Sequence, residues 1–349
     1  MEKTTKLIAL IICVIFANLC NLCILSEAEG QDIHFSQFYH SPLTLNPAAA
    51  GVFKGNFRAI NNYKDQWRSI AFPYKTLSVS LDMPFYREKI TDGSLGIGVS
   101  FLNDRAGDLN FSTNQAVLSL SANKSVNKSN NFSIGLQGAF SRRSIDFTKL
   151  KSDKQFDGTE YHPDWSTGET NTFENYSYGD FAAGILWNFT SDESNKIHAG
   201  AALFHINRPD QSFYDLYEKL YSKLVLHGGG EINLKNTNTS IIPNILFLKQ
   251  GQSYEVNAGA LIRYVLKESS KYTGNVKGSA FSIGGGYRFN DAIVVAAIME
   301  LAKWKIGISY DVNISGLRDV SLGKGGFEIS LIFITPNPFA KAKSEPKFL

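Results

Sequence analysis

Six histidines are the residues with the widest chemical range in this sequence: His34, His40, His162, His198, His205 and His227. A zinc site would ask for two of them one helical turn apart with a carboxylate close by. No pair has that spacing, and no carboxylate cluster completes a site. Hydrolysis at a membrane surface would ask for a Ser–His pair on one strand face. His198 and His205 stand an odd number of residues apart, so a continuous strand would turn them to opposite faces. Thiol chemistry is confined by position, because Cys13, Cys20 and Cys23 are the chain's cysteines and all precede Gln31. No catalytic constellation, cofactor or metal site is expected. The chain does not read as an enzyme.

The elements begin with a leader. Lys3 and Lys6 precede an apolar run from Leu7 to Leu25, and Ala28-Glu29-Gly30 sets small residues ahead of Gln31. That is the anatomy of a secretory signal peptide over residues 1–30, cleaved before Gln31. An uncleaved anchor helix is the rival, since the run approaches the ~20 residues that span a bilayer. Loss of the leader removes two lysines and three glutamates, which moves the formal charge from +3 to +4. That balance is too weak to point to nucleic acid.

Past the leader no run of roughly 18 apolar residues remains, so no transmembrane helix is available. Alternation at period two takes its place. Leu95, Ile97, Val99 and Phe101 alternate with Gly96, Gly98 and Ser100, and Ile306, Ile308, Tyr310 and Val312 with Gly307, Ser309, Asp311 and Asn313. About fourteen such segments can be read, near 55–66, 75–85, 94–103, 111–122, 131–142, 178–190, 196–206, 222–232, 240–250, 253–266, 277–289, 291–301, 303–313 and 324–334. One face is Ile, Val, Phe and Tyr; the other is small and polar. This is an all-β pattern, that of a transmembrane outer-membrane β-barrel of about 14 antiparallel strands over residues 52–335, with a tail at 336–349. An aromatic content of 13% is enough for two interfacial girdles. The rival is a secreted soluble β-sandwich or propeller. Arg142, Arg143, Arg263 and Arg288 are expected to line the lumen, where a buried charge requires partners or water.

If the amino end of the barrel lies in the periplasm, connections from odd to even strands face outward, and the unusual sequence collects there. These are NDRAGDLN (103–110), the stretch from Arg142 to Ser177, NRPDQSFYDLYEKLYSK (207–223) and NISGLRDVSLGK (313–324). Phe213, Tyr217, Leu220 and Tyr221 fit one face of a short helix.

Those loops, with QDIHFSQFYHSPLTLNPAAAG (31–51), NYKDQW (62–67), SVSLDMPF (78–85), SRRSIDFTKL (141–150), LFHINRPDQSF (203–213) and GGFEISLIF (325–333), resemble the PorP/SprF family of the Bacteroidetes type IX secretion system. The resemblance covers essentially the whole mature chain. It implies a non-enzymatic barrel that serves type IX export. Its partner would be a large secreted adhesin or that adhesin's C-terminal domain, as in gliding motility, or else periplasmic components of the machinery. Outer-membrane lipid would surround it. A porin or small-solute transporter is the alternative.

Candidate partner-binding residues come from two regions. Phe35, Phe38, Tyr39, Asn46 and Pro47 belong to the stretch 31–51; Arg143, Asp146, His205, Asn207, Arg208 and Pro209 belong to the outer loops. The stretch is expected to start on the periplasmic side, and Pro42 and Pro47 deny it a place in a ladder. Its aromatics would then bury against the inner wall or across the periplasmic mouth, as a plug or docking element. Asn46 and Gly51 would turn the chain into the first strand.

Overall fold

A computed structural model describes residues 32–68, 72–86, 90, 92–168, 175–191, 195–211, 218–267, 278–316 and 318–335. The leader and the tail lie outside these residues, as do Phe213 and Tyr217 of the expected helical face. Of that set Leu220 is buried and Tyr221 is exposed.

Fourteen antiparallel strands follow one another round a closed barrel. They are β1 (Phe57–Gln66), β2 (Tyr74–Phe85), β3 (Gly93–Ala106), β4 (Phe111–Ser125), β5 (Asn130–Ser144), β6 (Asn175–Ser191), β7 (Asn195–Phe204), β8 (Lys223–Asn233), β9 (Thr239–Gln250), β10 (Ser253–Lys267), β11 (Ser279–Arg288), β12 (Ala292–Leu301), β13 (Trp304–Asn313) and β14 (Lys324–Thr335). Closure joins β1 to β14, from Phe57 opposite Thr335 to Gln66 opposite Gly326. Every segment read from the alternation is a strand. β3, β4, β5 and β6 run further than expected, through Asp104-Arg105-Ala106, Asn123-Lys124-Ser125, Arg143-Ser144 and Asn175-Tyr176-Ser177. Their ends leave the apolar layer, so the pattern fades while the ladder continues.

The alternation is inside out relative to a water-soluble sheet. In β5, Ser133 and Ser141 are buried at 2% or less, while Ile134, Leu136 and Phe140 are 59–67% exposed. Lipid removes the cost of presenting such side chains, and closure pairs every strand edge. Aromatic pairs sit near the strand ends, Trp67 with Tyr74 and Tyr287 with Phe289 at one rim, Trp304 with Phe333 and Trp187 with Phe189 at the other. Among the described residues no helix is long and apolar enough to cross a membrane; the strands do so.

One rim carries the two longest connections, after β5 and β7. The other carries the start of β1 and the end of β14. In barrels of this kind the long loops face outward, so these rims are called the outer and periplasmic mouths. Arg142 corrects an expectation. It lies on the outward parity of β5 and is exposed, one register from Arg143, so it does not line the lumen as Arg143, Arg263 and Arg288 do.

Candidate functional site

The lumen is filled by the chain's own residues 32–51. Pro42 opens a one-turn helix, Pro42–Leu45, and Pro47 opens a 3-10 turn, Pro47–Ala49. A first-turn proline gives up an N–H that would have lacked a partner anyway. Asn46 caps the second turn, its Oδ1 accepting from Ala48 N at 2.9 Å. These local devices fold the stretch into compact turns that need no sheet partner.

The turns descend from the outer mouth, which corrects the expected direction. Asp32 is held at the outer rim by Gln250, the last residue of β9, by His205 just past β7, and by Lys223 at the start of β8. Below it, Ser36 Oγ donates to Asp311 Oδ2 at 2.7 Å, and the backbone N–H groups of Ser36 and Gln37 donate to Glu328 at 2.8 and 2.9 Å. His40 Nδ1 lies 2.7 Å from Ser330 Oγ. Near mid-barrel, Asn46 Nδ2 donates to Ile185 O at 2.8 Å and meets His227 Nε2 at 3.1 Å. At the periplasmic end, Gly51 N donates to Asp82, which also grips Arg58. Gly51 has φ +68°, a turn conformation glycine adopts without strain, and it leads the chain round to β1. Pro42 and Pro47 do keep the stretch out of any ladder. They do not fix the end at which it starts.

Packing fixes its path. Phe35, Phe38 and Leu43 are 1–4% exposed, and Phe38 lies against Ala182, Ala202, Phe204, Val225 and Leu246. Burying each such side chain is worth about 1.5–3 kcal/mol. Lower down, the run Ala48-Ala49-Ala50 presents only methyl groups. A Cβ added at Gly96 would strike the Ala50 carbonyl, one at Gly135 the backbone at Pro47 and Ala48, and one at Gly184 the Asn46 side chain. Small residues on both partners let backbone lie on backbone.

Charge is balanced on the other wall. Arg288 is 2% exposed and donates to Asp311 Oδ2 at 2.8 Å, to Asp291 at 2.5 Å and to Ser36 Oγ at 3.2 Å. Lys64 Nζ donates to the His34 carbonyl at 3.0 Å. Towards the periplasmic mouth, Lys196, Glu231, Arg263, Glu300 and Lys305 form a chain of ion pairs of 2.8–3.2 Å across β7, β8, β10, β12 and β13.

At the outer rim His205 is gripped on both ring nitrogens, Nε2 by Asp32 at 2.5 Å and Nδ1 by Asp180 at 2.8 Å. Two carboxylate partners ask both nitrogens to donate, which only the imidazolium can do. Burial pulls His205 down, and the carboxylates outweigh it and raise it above the usual histidine value. Burial alone would raise Asp32, and Lys223 and His205 hold it well below the usual carboxylate value. His198 and His205 both face inward, contrary to the odd-spacing argument. His205 lies one residue past β7 with φ +55°, and that twist turns its ring into the lumen.

The remaining candidates separate by exposure. Phe35, Phe38, Asn46 and Pro47 are buried and Tyr39 nearly so, with their contacts inside the barrel, while Pro209 is buried within the β7–β8 loop. Arg143 bonds Gln211 and stands 5.7 Å from the Tyr178 ring. Asp146 caps an exposed 3-10 turn, Phe147–Lys149. Asn207 Oδ1 accepts from Phe181 N at 3.2 Å and its Nδ2 donates to Gly179 O at 2.8 Å, extending the β6 edge beyond β7. Arg208 is exposed beside Tyr221. Sequence reasoning passed over Asp32, Asp180, Lys223, Gln250, Asp311 and Glu328. For Asp180, Gln250, Asp311 and Glu328 the signal was a carboxylate or amide on the inward parity of an apolar strand, which must find a partner in the lumen. Among the described residues no group of three or more His, Cys, Asp or Glu is placed to hold a metal ion.

The family model described as type IX secretion system membrane protein PorP/SprF matches residues 27–333. Among curated proteins no sequence matches. Solved structures similar to the chain include the Ralstonia pickettii toluene transporter TbuX, with a TM-score of 0.44 and 11% identity over 84% of this chain and 92% of that one. A Pseudomonas aeruginosa FadL homologue gives 0.42 and 10% over 83% and 92%. The Acinetobacter baumannii outer membrane protein Omp33 gives 0.39 and 6% over 80% and 98%.

Proposed function

The chain belongs to the PorP/SprF family of type IX secretion system membrane proteins, and from that premise we propose that it is an internally plugged outer-membrane barrel that serves secretion by binding proteins, not by conducting solutes. The observation that carries this reading is the lumen: residues 32–51 pack against walls all round the ring, and the cavity beside Tyr39 and Asn257 has room for about one water, ≈ 10 Å³. Binding then falls to the mouths. The outer mouth displays Phe156, Trp165, Ile206 and Tyr221, each 44–52% exposed, next to Asp146, Asn207 and Arg208. Exposed aromatics beside a cation are the composition of a protein-docking surface. The partner fitted to that surface is a secreted surface adhesin or its C-terminal domain. Contact with periplasmic components of the machinery would use the other mouth.

The test is purification of the tagged protein from its native outer membrane, with bound proteins identified by mass spectrometry. A large secreted protein should be recovered, and should be lost when Arg208→Glu and Trp165→Ala are combined. Absence of any protein partner, together with steady conductance of the purified barrel in planar bilayers, would replace this reading with a porin.

A further inference from the structure

The direction of the internal segment has a topological consequence. Asp32 is fixed at the outer rim by three elements that meet there: the end of β9 through Gln250, the β7–β8 connection through His205, and the start of β8 through Lys223. Gly51 is fixed at the opposite rim by Asp82, close to the end of β2, and Asn56 N donates to Thr335 O at the end of β14. Between them the contacts descend in order, through Asp311, Glu328, Ser330, Ile185 and Gly96. The segment therefore crosses the barrel once, from the long-loop end to the end where β1 begins. It also bonds both strands of the closing seam. Lys64 and Asn62 of β1 hold the carbonyls of His34 and His40, while Glu328 and Ser330 of β14 hold Ser36, Gln37 and His40.

We propose that Asp32 and Ile33, the amino end of this segment, are presented at the outer mouth and face the cell's outer side, where reagents or enzymes can reach them. The start of the segment is then a surface site, although the first strand starts from the periplasmic mouth. A segment bonded to β1 and β14 alike must be in place as the seam closes.

The experiment inserts a short epitope between Gln31 and Asp32 of the full chain in its own membrane. Control epitopes go into the exposed turn at Asp157–Glu160, at the outer rim, and the turn at Lys235–Thr237, at the periplasmic rim. On intact cells the amino-end epitope should bind antibody to the level of the 157–160 control, with the 235–237 control silent until cells are permeabilised. An amino-end epitope silent on intact cells overturns the proposal, whichever control it follows. Should the insertion prevent closure, Ile33→Cys replaces it. Chain downstream of the leader has no other cysteine, and labelling by a membrane-impermeant maleimide on intact cells gives the same two outcomes.

Discussion

Along β3 to β7 the lumen wall meets residues 46–50 with Gly96, Gly135 and Gly184, whereas along β11, β13, β14 and β1 it meets residues 34–40 with Arg288, Asp311, Glu328 and Lys64. The first wall selects by shape. Its glycines leave no room even for a Cβ, and few hydrogen bonds are needed because the turns satisfy themselves. The second wall selects by register, since each inward charge reaches one particular backbone or hydroxyl group. A slide of the segment by one residue would leave these charges unpaired. Because β1 and β14 both belong to the charged wall, register and barrel closure are fixed by the same bonds.

Arg288 gives the sharpest break of that contrast. Arg288→Leu would leave Asp311 buried without its cation, with Oδ1 already lacking a partner, at a cost of about 3–5 kcal/mol. The urea midpoint of the heat-modifiable folded band should fall accordingly. Arg288→Lys should recover only part, because one ammonium cannot serve Asp311, Asp291 and Ser36 together. The glycine wall should respond less. Gly135→Val would drive a side chain into Pro47 and Ala48, an overpacking worth about 1–3 kcal/mol. Its readout is chymotryptic cleavage at Phe35, Phe38 or Tyr39, which wild type should resist. Gly138→Val on the same strand has no neighbour nearer than 3.8 Å apart from its chain neighbours and should behave as wild type. Equal cleavage in both valine variants would sink the claim that close approach is what these glycines provide.

The strands were legible because a barrel repeats one rule, apolar outward and small or polar inward, and that rule needs no knowledge of tertiary contacts. The segment was half legible. Pro42 and Pro47 excluded a strand, Asn46 suggested a cap, and the aromatics demanded burial. Its direction was not legible, since it depends on Asp32 meeting Gln250 and His205, partners more than 170 residues away. The loop candidates fared unevenly for a related reason. Asn207 and Arg208 are exposed as a docking residue must be, but His205 is turned inward by a left-handed backbone that period-two reasoning cannot foresee, and Pro209 is buried within its own loop, where its carbonyl accepts from Leu220 N.

The smallest effect belongs where the two walls meet the outer rim. The Asp32–His205–Asp180 grip neighbours both, yet it depends on protonation, which neither wall is asked to do. His205 titrates above its ordinary value, so its share of the stability is complete below about pH 6.5 and is lost as pH rises through the raised folded value. Asp32 titrates below its ordinary value, so its share is complete above about pH 4 and is lost as pH falls through the lowered folded value. The grip is therefore strongest in the weakly acid range between these limits and loosens on either side. Loss on the alkaline side should stop at about 1 kcal/mol, because Lys223 still holds Asp32 at 2.8 Å. Chymotryptic cleavage at Phe35, measured from pH 5 to 9 and divided at each pH by the rate on an unfolded peptide substrate, should rise towards alkaline pH in wild type. In His205→Gln it should be flat, with faster cleavage already at pH 5. A flat wild-type profile would mean that Gln250 and Lys223 secure the end by themselves, and the rim would then belong with the pH-independent glycine wall.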